Sequence, residues 1–423
     1  MNRSFAGVLH DAWSRKWVRL LFAVVVIVFM HIESLSSRND FDIFLAAAVD
    51  LFNGVNIYTQ TYFDGYHYYY SVFFAILIRP LAELSSSESK FLWIALNVIL
   101  LMRIWKICYH FLWKEEWKPE LKTLLGFLLF ILCLRFLRDN LHLCQMTIVM
   151  LYLSLESVYC IFNKKALVGA LLLALAINIK LLPIVLIPYF LYRREWKTVF
   201  YAMAGLFVLY ELPSLWIGVE HNHFLLGEWF NLINPMQQRH LLDIEETSFH
   251  GLTTLLATLF IKDLNELHGL HIQRNVGNLS LEQLFLLINI VRLLLVGFTL
   301  WFLRTWPFKS FPSKEKTWWE ISYLLLVVPL IFPHQQHYAF LMCLPALAWM
   351  ILWMLRENAE GKKHRRMMLF MVFVFLAFNL NLLFGAYTAY YNHFKIVTYG
   401  ALFLMVLLAF AKPKEDVKGS PTL

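Results

Sequence analysis

The chain has 423 residues, of which 60% are hydrophobic and 16% are charged, and its formal net charge is +8. Soluble domains carry about 25% charged residues, so this composition excludes an ordinary soluble domain. The lysines and arginines stand in short clusters between apolar segments, as in the cytoplasmic loops of membrane proteins, and not in a tract that follows a phosphate backbone. We therefore expect a protein surrounded by membrane lipids that does not bind nucleic acid.

Apolar stretches of the length that crosses a bilayer as a helix recur along the whole chain. The first has a basic flank and no small-x-small cleavage site, so we expect an uncleaved anchor. The basic clusters between the stretches place the N- and C-termini in the cytoplasm. The predicted spans lie near 20–36, 91–112, 121–137, 146–162, 198–217, 281–303, 317–332, 338–355, 367–385 and 394–411.

Two further apolar segments do not fit this alternation. A full crossing by residues 67–84 would move the cluster 114–122 to the external side, so we interpret 67–84 as a short or re-entrant segment. Residues 166–193 run between two basic clusters, and their sequence NIKLLP predicts two short helices that meet at Asn178–Pro183 with Lys180 at the tip. The prediction is one all-α polytopic membrane domain, residues 1–423, with about 11–13 transmembrane helices.

Two long loops, 37–66 and 218–280, fall on the external side. In the first, the apolar residues of 40–54 share one helical face, and Gly54 is a typical helix stop. This pattern predicts a short amphipathic helix on the outer membrane surface. The second loop has no cysteine and too few residues for a large core, so we expect a lid over the membrane domain.

Ionisable residues on the external side form the candidate site, because charged groups at membrane depth are costly and usually face a cavity or a partner. A carboxylate suits a general base, and cations and histidines suit an anionic substrate. Plainer interpretations are Asp40 as a helix N-cap, Asp42 as a dipole partner and Lys180 as a snorkelling side chain. The expected catalytic residues are Asp40, Asp42 and His337, and the expected donor-phosphate and substrate-binding residues are Lys180, Arg138, Gln145, His334 and Tyr69.

Motifs for metals and nucleotides are missing from the sequence. The five cysteines lack metal-type spacing, and there is no Walker loop, no GxGxxG after a strand and no HExxH. We therefore expect neither a metal nor a cofactor.

Six stretches in a fixed order carry a family resemblance. Together they resemble glycosyltransferase family 87, the mannosyltransferase-like group of polyprenyl-phosphate-sugar-dependent enzymes with the GT-C fold. The stretches are DFDIFLAAAVDLFNGVNIY (40–58), YYYSVFFAILIRPLAEL (68–84), CQMTIVMLYLSLE (144–156), GALLLALAINIKLLPIVLIPYFLYRREWK (169–197), TSFHGLTTLL (247–256) and FPHQQHYAFLMCLP (332–345).

The resemblance implies an enzyme that transfers mannose or another hexose from a polyprenyl-phosphate donor to a lipid-linked or glycan acceptor. It implies a bacterial inner-membrane protein with a periplasmic active site, in which Asp40 is the base. The chain departs from the family at Ser71-Val72, where a proline is common, and at Cys144, where a glycine usually precedes the glutamine. The alternatives are a lipid-linked-saccharide polymerase or flippase and, less favoured, a transporter.

Overall fold

The chain is helical throughout the part that the structure describes. The computed structural model describes residues 4–36, 39–63, 65–114, 117–234, 240, 242, 246–262, 264, 266, 269–361, 364–380, 382 and 385–414. In these residues there are no strands, only the isolated bridges Tyr62–Tyr66 and Phe249–Gln336. The α-helices are Phe5–Ser14, Lys16–Ser34, Asp40–Phe52, Val72–Ile78, Ser86–Leu112, Pro119–His142, Thr147–Phe162, Ala166–Ile179, Leu186–Tyr192, Trp196–Glu211, Ser214–Ile217, Val219–Ile233, Leu252–Phe260, Leu281–Leu303, Lys314–Ile331, Leu344–Ala359, Arg365–Asn379, Thr388–His393 and Ile396–Phe410, with 3-10 helices at Arg79–Glu83, Leu182–Val185, His337–Cys343 and Gly385–Tyr387.

Several helices have the length and composition of membrane spans. Within the described residues, five are long and apolar enough to cross a bilayer, and shorter apolar helices lie between them. The predicted class, an all-α polytopic membrane protein, is therefore confirmed, while the expected total of about 11–13 spans stays a prediction. The five are Lys16–Ser34, Ser86–Leu112, Trp196–Ile217, Leu281–Leu303 and His337–Asn358.

The predicted cytoplasmic clusters gather at one end of the bundle, which we call the basic end. Glu315 pairs with both Lys114 and Arg356, and Glu357 pairs with His364 and Lys414. These ion pairs tie four sequence-distant clusters together. The opposite end, which we call the site end, holds Asp40 and the segments described below.

The segment 67–84 returns to the end from which it starts. At its beginning, the Ser71 backbone N–H donates to the carbonyl of Ile179 at 3.4 Å. Just after its end, the Ser86 hydroxyl donates to Asp42 at 2.7 Å. Asp42 belongs to the site end, as does the hairpin tip near Ile179. The segment is therefore re-entrant, which is one of the two interpretations, short or re-entrant, that the sequence suggested.

The predicted break in residues 166–193 is present. The helix Ala166–Ile179 stops at Lys180, whose backbone is extended, and the chain returns through Leu182–Val185 and Leu186–Tyr192. Lys164 and Glu195, which flank the two arms, lie within electrostatic range of each other. Both arms therefore end on the same side, and we call this unit the broken hairpin.

The helix Asp40–Phe52 forms as predicted, and its apolar face packs against protein. Its side chains at Ile43 and Ala47 are buried along with the predicted apolar face, except for Phe52, which is 43% exposed. The aromatic ring of Phe44 packs edge-on against Phe74 of the re-entrant segment, at 5.7 Å between centroids. The re-entrant segment therefore covers the helix, and Gly54, with φ +73°, follows its end as expected. The position of the helix relative to the membrane surface stays a prediction.

Candidate active site

The start of the helix Asp40–Phe52 is capped by Asn39. The Asn39 Oδ1 accepts from the backbone N–H of Phe41, and the Asp42 Oδ2 accepts from the backbone N–H of Asn39 at 2.9 Å. This reciprocal arrangement is a capping box. The interpretation of Asp40 as the N-cap is wrong, because Asn39 is the N-cap. The Asp40 carboxylate is therefore not used in capping the helix.

Asp42 is held by groups that stabilise its charge. The buried Lys90 ammonium lies 2.8 Å from its Oδ2, and the Ser86 hydroxyl donates to its Oδ1. Burial opposes ionisation, but these bonds outweigh it and lower the pKa of Asp42. A carboxylate with a lowered pKa and both oxygens occupied is a weak base, so its contacts favour a structural role.

Asp40 has the opposite environment. Its Oδ2 accepts a hydrogen bond from the Gln145 side chain. Burial raises the pKa of Asp40, the Gln145 bond opposes that rise, the nearby charge of Glu246 adds to it and Lys180 reduces it. A partly desolvated carboxylate with a raised pKa is suited to accept a proton.

Gln145 reaches Asp40 because of a turn after the helix Pro119–His142. Cys144 has φ +50°, in the left-handed region that favours glycine, and the Gln145 N–H donates to the Asn140 carbonyl at 2.8 Å. Cys144 thus adopts a backbone conformation that glycine favours.

Lys180 lies at the tip of the broken hairpin, as predicted. Its ammonium is 5.3 Å from the centroid of the Tyr70 ring. The tip is fixed by the Ser71 hydroxyl, which donates to the Asn178 side chain at 3.0 Å. Lys180 lines a pocket that also holds Gln145, with Tyr70, Met146, Thr147, Met150, Leu182, Gln335, Ala339 and Met342.

His337 points to an acid that the sequence analysis did not identify. Its Nε2 lies 2.9 Å from the Asp139 Oδ2, and Asp139 is also 3.2 Å from Arg138 and 3.5 Å from the buried Arg135. Arg138 is half exposed and pairs with this acid instead of lining the pocket. Asp139 therefore orients His337 and neutralises the arginines.

His334 and Tyr69 form a separate aromatic contact. Their rings stack at 5.9 Å between centroids, and His334 also contacts His240 and Phe249. The pocket wall itself is formed by Tyr70, one residue after the predicted Tyr69. The backbone carbonyl of Tyr69 instead accepts from the indole N–H of Trp229 at 3.1 Å, which joins the re-entrant segment to the second outer loop.

Glu246 is a second carboxylate near Asp40 that the sequence analysis missed. Its Oε2 accepts from the Ser248 hydroxyl at 2.6 Å and from the Gln336 side chain at 3.0 Å. The backbone shortly after Glu246 is held against the segment 334–337 by a hydrogen bond from the His250 N–H to the Gln335 carbonyl at 2.8 Å. The second outer loop thus brings a carboxylate to the site, whereas Arg239, another charged residue of that loop, lies outside the described residues.

The arrangement suits proton abstraction next to an anionic leaving group. Asp40 supplies a carboxylate with a raised pKa, Lys180 is a cation within electrostatic range of it, and His337 is a further polar group at the same end. In the described part of the chain, no three His, Cys, Asp or Glu side chains are grouped as a metal site requires.

Comparison with known proteins gives one match. The family model of glycosyltransferase family 87 matches residues 68–313, more than half of the 423 residues. The match includes the broken hairpin and Glu246 but leaves out Asp40 and the segment 334–337. No curated protein and no solved structure matches the chain.

Proposed function

Because the chain belongs to glycosyltransferase family 87, we propose that it transfers mannose or another hexose from a polyprenyl-phosphate donor to a lipid-linked or glycan acceptor. The observation that carries the proposal is the environment of Asp40. Its carboxylate is largely desolvated, bonded to Gln145, and within electrostatic range of Lys180 at the tip of a broken membrane hairpin. A base and a cation are the two groups that this reaction needs.

In the proposed reaction, Asp40 accepts the proton of an acceptor hydroxyl as its oxygen attacks the anomeric carbon of the donor sugar. The new carbon–oxygen bond forms while the bond between the anomeric carbon and the phosphate oxygen breaks. Polyprenyl phosphate leaves with the bonding electron pair, and Lys180 stabilises its negative charge. Gln145 holds the carboxylate in place through its hydrogen bond.

His337 is proposed to contact the donor phosphate or the acceptor. Its Nε2 is fixed by Asp139, and among the residues that the structure describes no group bonds its buried Nδ1. Asp139 also accepts from Arg138, so Arg138 acts through this acid rather than on the donor directly. His334 is the weaker candidate, because its ring is engaged by Tyr69 and His240.

The distribution of charge supports an outward-facing site. Lysine- and arginine-rich clusters meet at the basic end, and positive charge marks the cytoplasmic side of membrane proteins. The helix Phe5–Ser14 lies at that end, where His10 is 3.0 Å from Thr123, and Lys414 lies there too. We therefore place both termini in the cytoplasm and the site at the periplasmic face of a bacterial inner membrane.

The test is turnover of purified protein with polyprenyl-phosphate sugars and a lipid extract. Asp40→Asn keeps the size of the side chain and the Asn39 cap but removes the basicity, so turnover falls by at least about 10²-fold while the melting temperature does not drop. Asp42→Asn is the control. It removes the carboxylate that pairs with the buried Lys90 and destabilises the fold by about 3 kcal/mol. Near-normal turnover of Asp40→Asn contradicts the proposal.

A further inference from the structure

An arginine lies in the middle of an otherwise apolar helix. Arg292 is near the centre of Leu281–Leu303, one of the helices long and apolar enough to cross a membrane. An arginine at that depth is expensive unless it faces a partner or a water-filled cavity. Its surroundings therefore need an explanation.

Arg292 points inward and not to lipid. The inner stripe of this helix repeats every three or four residues, and Arg292 is on it, between Ile288 and Leu295. Leu293 and Leu294, on the other face, are 72% and 65% exposed. The stripe consists of Leu284, Ile288, Arg292, Leu295, Thr299 and Phe302.

The helix packs at its two ends but not around Arg292. At the site end, Leu284 and Ile288 form a small cluster with Ala257. At the basic end, Phe302 stacks on Trp319 at 3.9 Å between centroids and belongs to the main core. Residues 289–294 belong to neither cluster. Apolar packing is therefore weakest beside the half-buried arginine, and we call this stretch, residues 289–294, the gap.

No carboxylate neutralises Arg292. In the part of the chain that the structure describes, the contact found for its guanidinium is the Asn289 side chain at 3.5 Å, and no ion pair is found. Other buried arginines of the bundle have acids, as Arg193 has Glu320 and Arg274 has Glu266. Arg292 is an exception that calls for an anion from outside the chain.

The register of the neighbouring helix gives the depth of this gap. Thr299 contacts Tyr323 of the helix Lys314–Ile331, oxygen to oxygen, at 2.7 Å. The two helices are antiparallel, so two turns further along Arg292 is level with the end of that helix, near Leu330. The chain then continues into the segment 334–337 of the candidate site.

We propose that Arg292, with Asn289, binds the phosphate of a membrane lipid in this gap. A guanidinium presents a planar fork that donates two hydrogen bonds to phosphate, and the exposed apolar face of the helix suits a hydrocarbon chain beside it. The identification of that lipid as the polyprenyl phosphate carrier rests on the proposed function. The lipid phosphate at Arg292 would then lie on the route between the bilayer and Lys180.

The experiment uses native mass spectrometry of the full chain in a neutral detergent, titrated with polyprenyl phosphate or with phosphatidylglycerol. Arg292→Gln should weaken binding of the lipid that occupies the gap by about tenfold or more, because a charge-assisted bond is lost. Arg292→Lys should retain part of the affinity. The matched control is Arg304→Gln, at the exposed basic end of the same helix, which should leave binding unchanged.

Weaker binding of polyprenyl phosphate alone by Arg292→Gln assigns the gap to the carrier. Weaker binding of both lipids assigns it to lipid phosphates in general, and weaker binding of phosphatidylglycerol alone assigns it to a phospholipid and not to the carrier. Unchanged binding of both lipids overturns the proposal. Should Arg292→Gln fail to purify, Arg292→Leu replaces it, since removing a desolvated charge favours the folded state. Because no acceptor is present, this result is independent of the turnover test on Asp40.

Discussion

At the residue scale, two carboxylates in the same helical turn have opposite environments. Asp42 accepts from its own cap, from Ser86 and from Lys90, whereas Asp40 faces Gln145 and Lys180. The sequence places both aspartates at the bilayer exit, but their difference depends on partners that are 44 to 140 positions away, as the residue numbers show. The presence of two neighbouring carboxylates could be predicted from the sequence, but the difference between their environments could not.

Glu246 gives a prediction about pH. The groups that face Asp40 are Glu246, Lys180 and the phenols of Tyr70 and Tyr338. Burial is the main reason for the raised pKa of Asp40, and the Glu246 charge adds to it. A base works when ionised, so the rate rises as pH passes through its pKa. Glu246→Gln removes a negative charge and lowers the pKa of Asp40, so the acid limb of the kcat/KM profile should move to lower pH.

The control for this prediction is Glu228→Gln. Glu228 also lies in the second outer loop and accepts from Asn56 at 3.1 Å, but it is not among the charges that act on Asp40. The acid limb of the kcat/KM profile of Glu228→Gln should therefore stay where it is in the unmodified protein. An unmoved limb in Glu246→Gln, with turnover reduced, would make Glu246 only a structural anchor for Ser248 and Gln336.

Glu246, Asp139 and the turn at Cys144 show what a single sequence does not reveal. Glu246 stands in an irregular segment whose sequence has no helical or strand periodicity. The neighbouring residues therefore give no sign that its side chain lies near Asp40. Asp139 resembles an ordinary helix-end acid until His337 approaches from about 200 positions away. The left-handed φ of Cys144 could have been inferred, because the resemblance places a glycine there and glycine commonly marks that conformation.

At the element scale, charge at both ends of a segment predicted its path. The broken hairpin and the re-entrant segment could be predicted from the positions of the basic clusters and, for the hairpin, from the helix-breaking stretch Asn178–Pro183. These are local signals in the sequence. The burial of the helix Asp40–Phe52 did not follow, because the helix is covered by residues 72–83, and its amphipathic pattern is equally compatible with lipid. Periodicity identifies an apolar face but not the surface that covers it.

The broken hairpin predicts which positions share a side of the membrane. Lys164→Cys and Arg194→Cys should react with an impermeant maleimide from the cytoplasm only, because their segments meet at the basic end. Lys180→Cys should react only from outside, since the tip lines the pocket at the site end. Labelling of intact and of inverted membrane vesicles measures this.

The labelling has a natural background and an external control. All five native cysteines are buried and should stay unreactive. Gln60→Cys, at an exposed position of the first outer loop, should react from outside in the same preparation. Reaction of positions 164 and 194 from opposite sides would make 166–193 one continuous span and refute the hairpin.

At the scale of the whole molecule, the second outer loop is fastened to the bundle by buried charges. Lys395, at the start of the helix Ile396–Phe410, lies 2.9 Å from Glu266, and Arg274 lies 2.8 Å from the same carboxylate. Lys395 also donates to the carbonyl of Thr247 at 2.9 Å, one residue after Glu246. The anchor of the loop and the carboxylate near Asp40 are thus parts of one continuous structure.

The anchor predicts that a remote lysine controls the site. Lys395→Met removes a cation that is 1% exposed but leaves Glu266 with Arg274, so the free energy of unfolding should fall by about 2 kcal/mol, as for a lost charge-assisted hydrogen bond. The bond from the His250 N–H to Gln335 should loosen, and faster hydrogen exchange of residues 246–251 would report it. The acid limb of the kcat/KM profile should move to lower pH, as in Glu246→Gln, since Glu246 loses its position beside Asp40. The exposed ion pair Arg79–Glu83 supplies the control: Arg79→Met should cost less than about 1 kcal/mol and leave exchange in 246–251 unchanged. Equal exchange in the two variants would show that the loop is held without Lys395, and the anchor would then have no part in shaping the site.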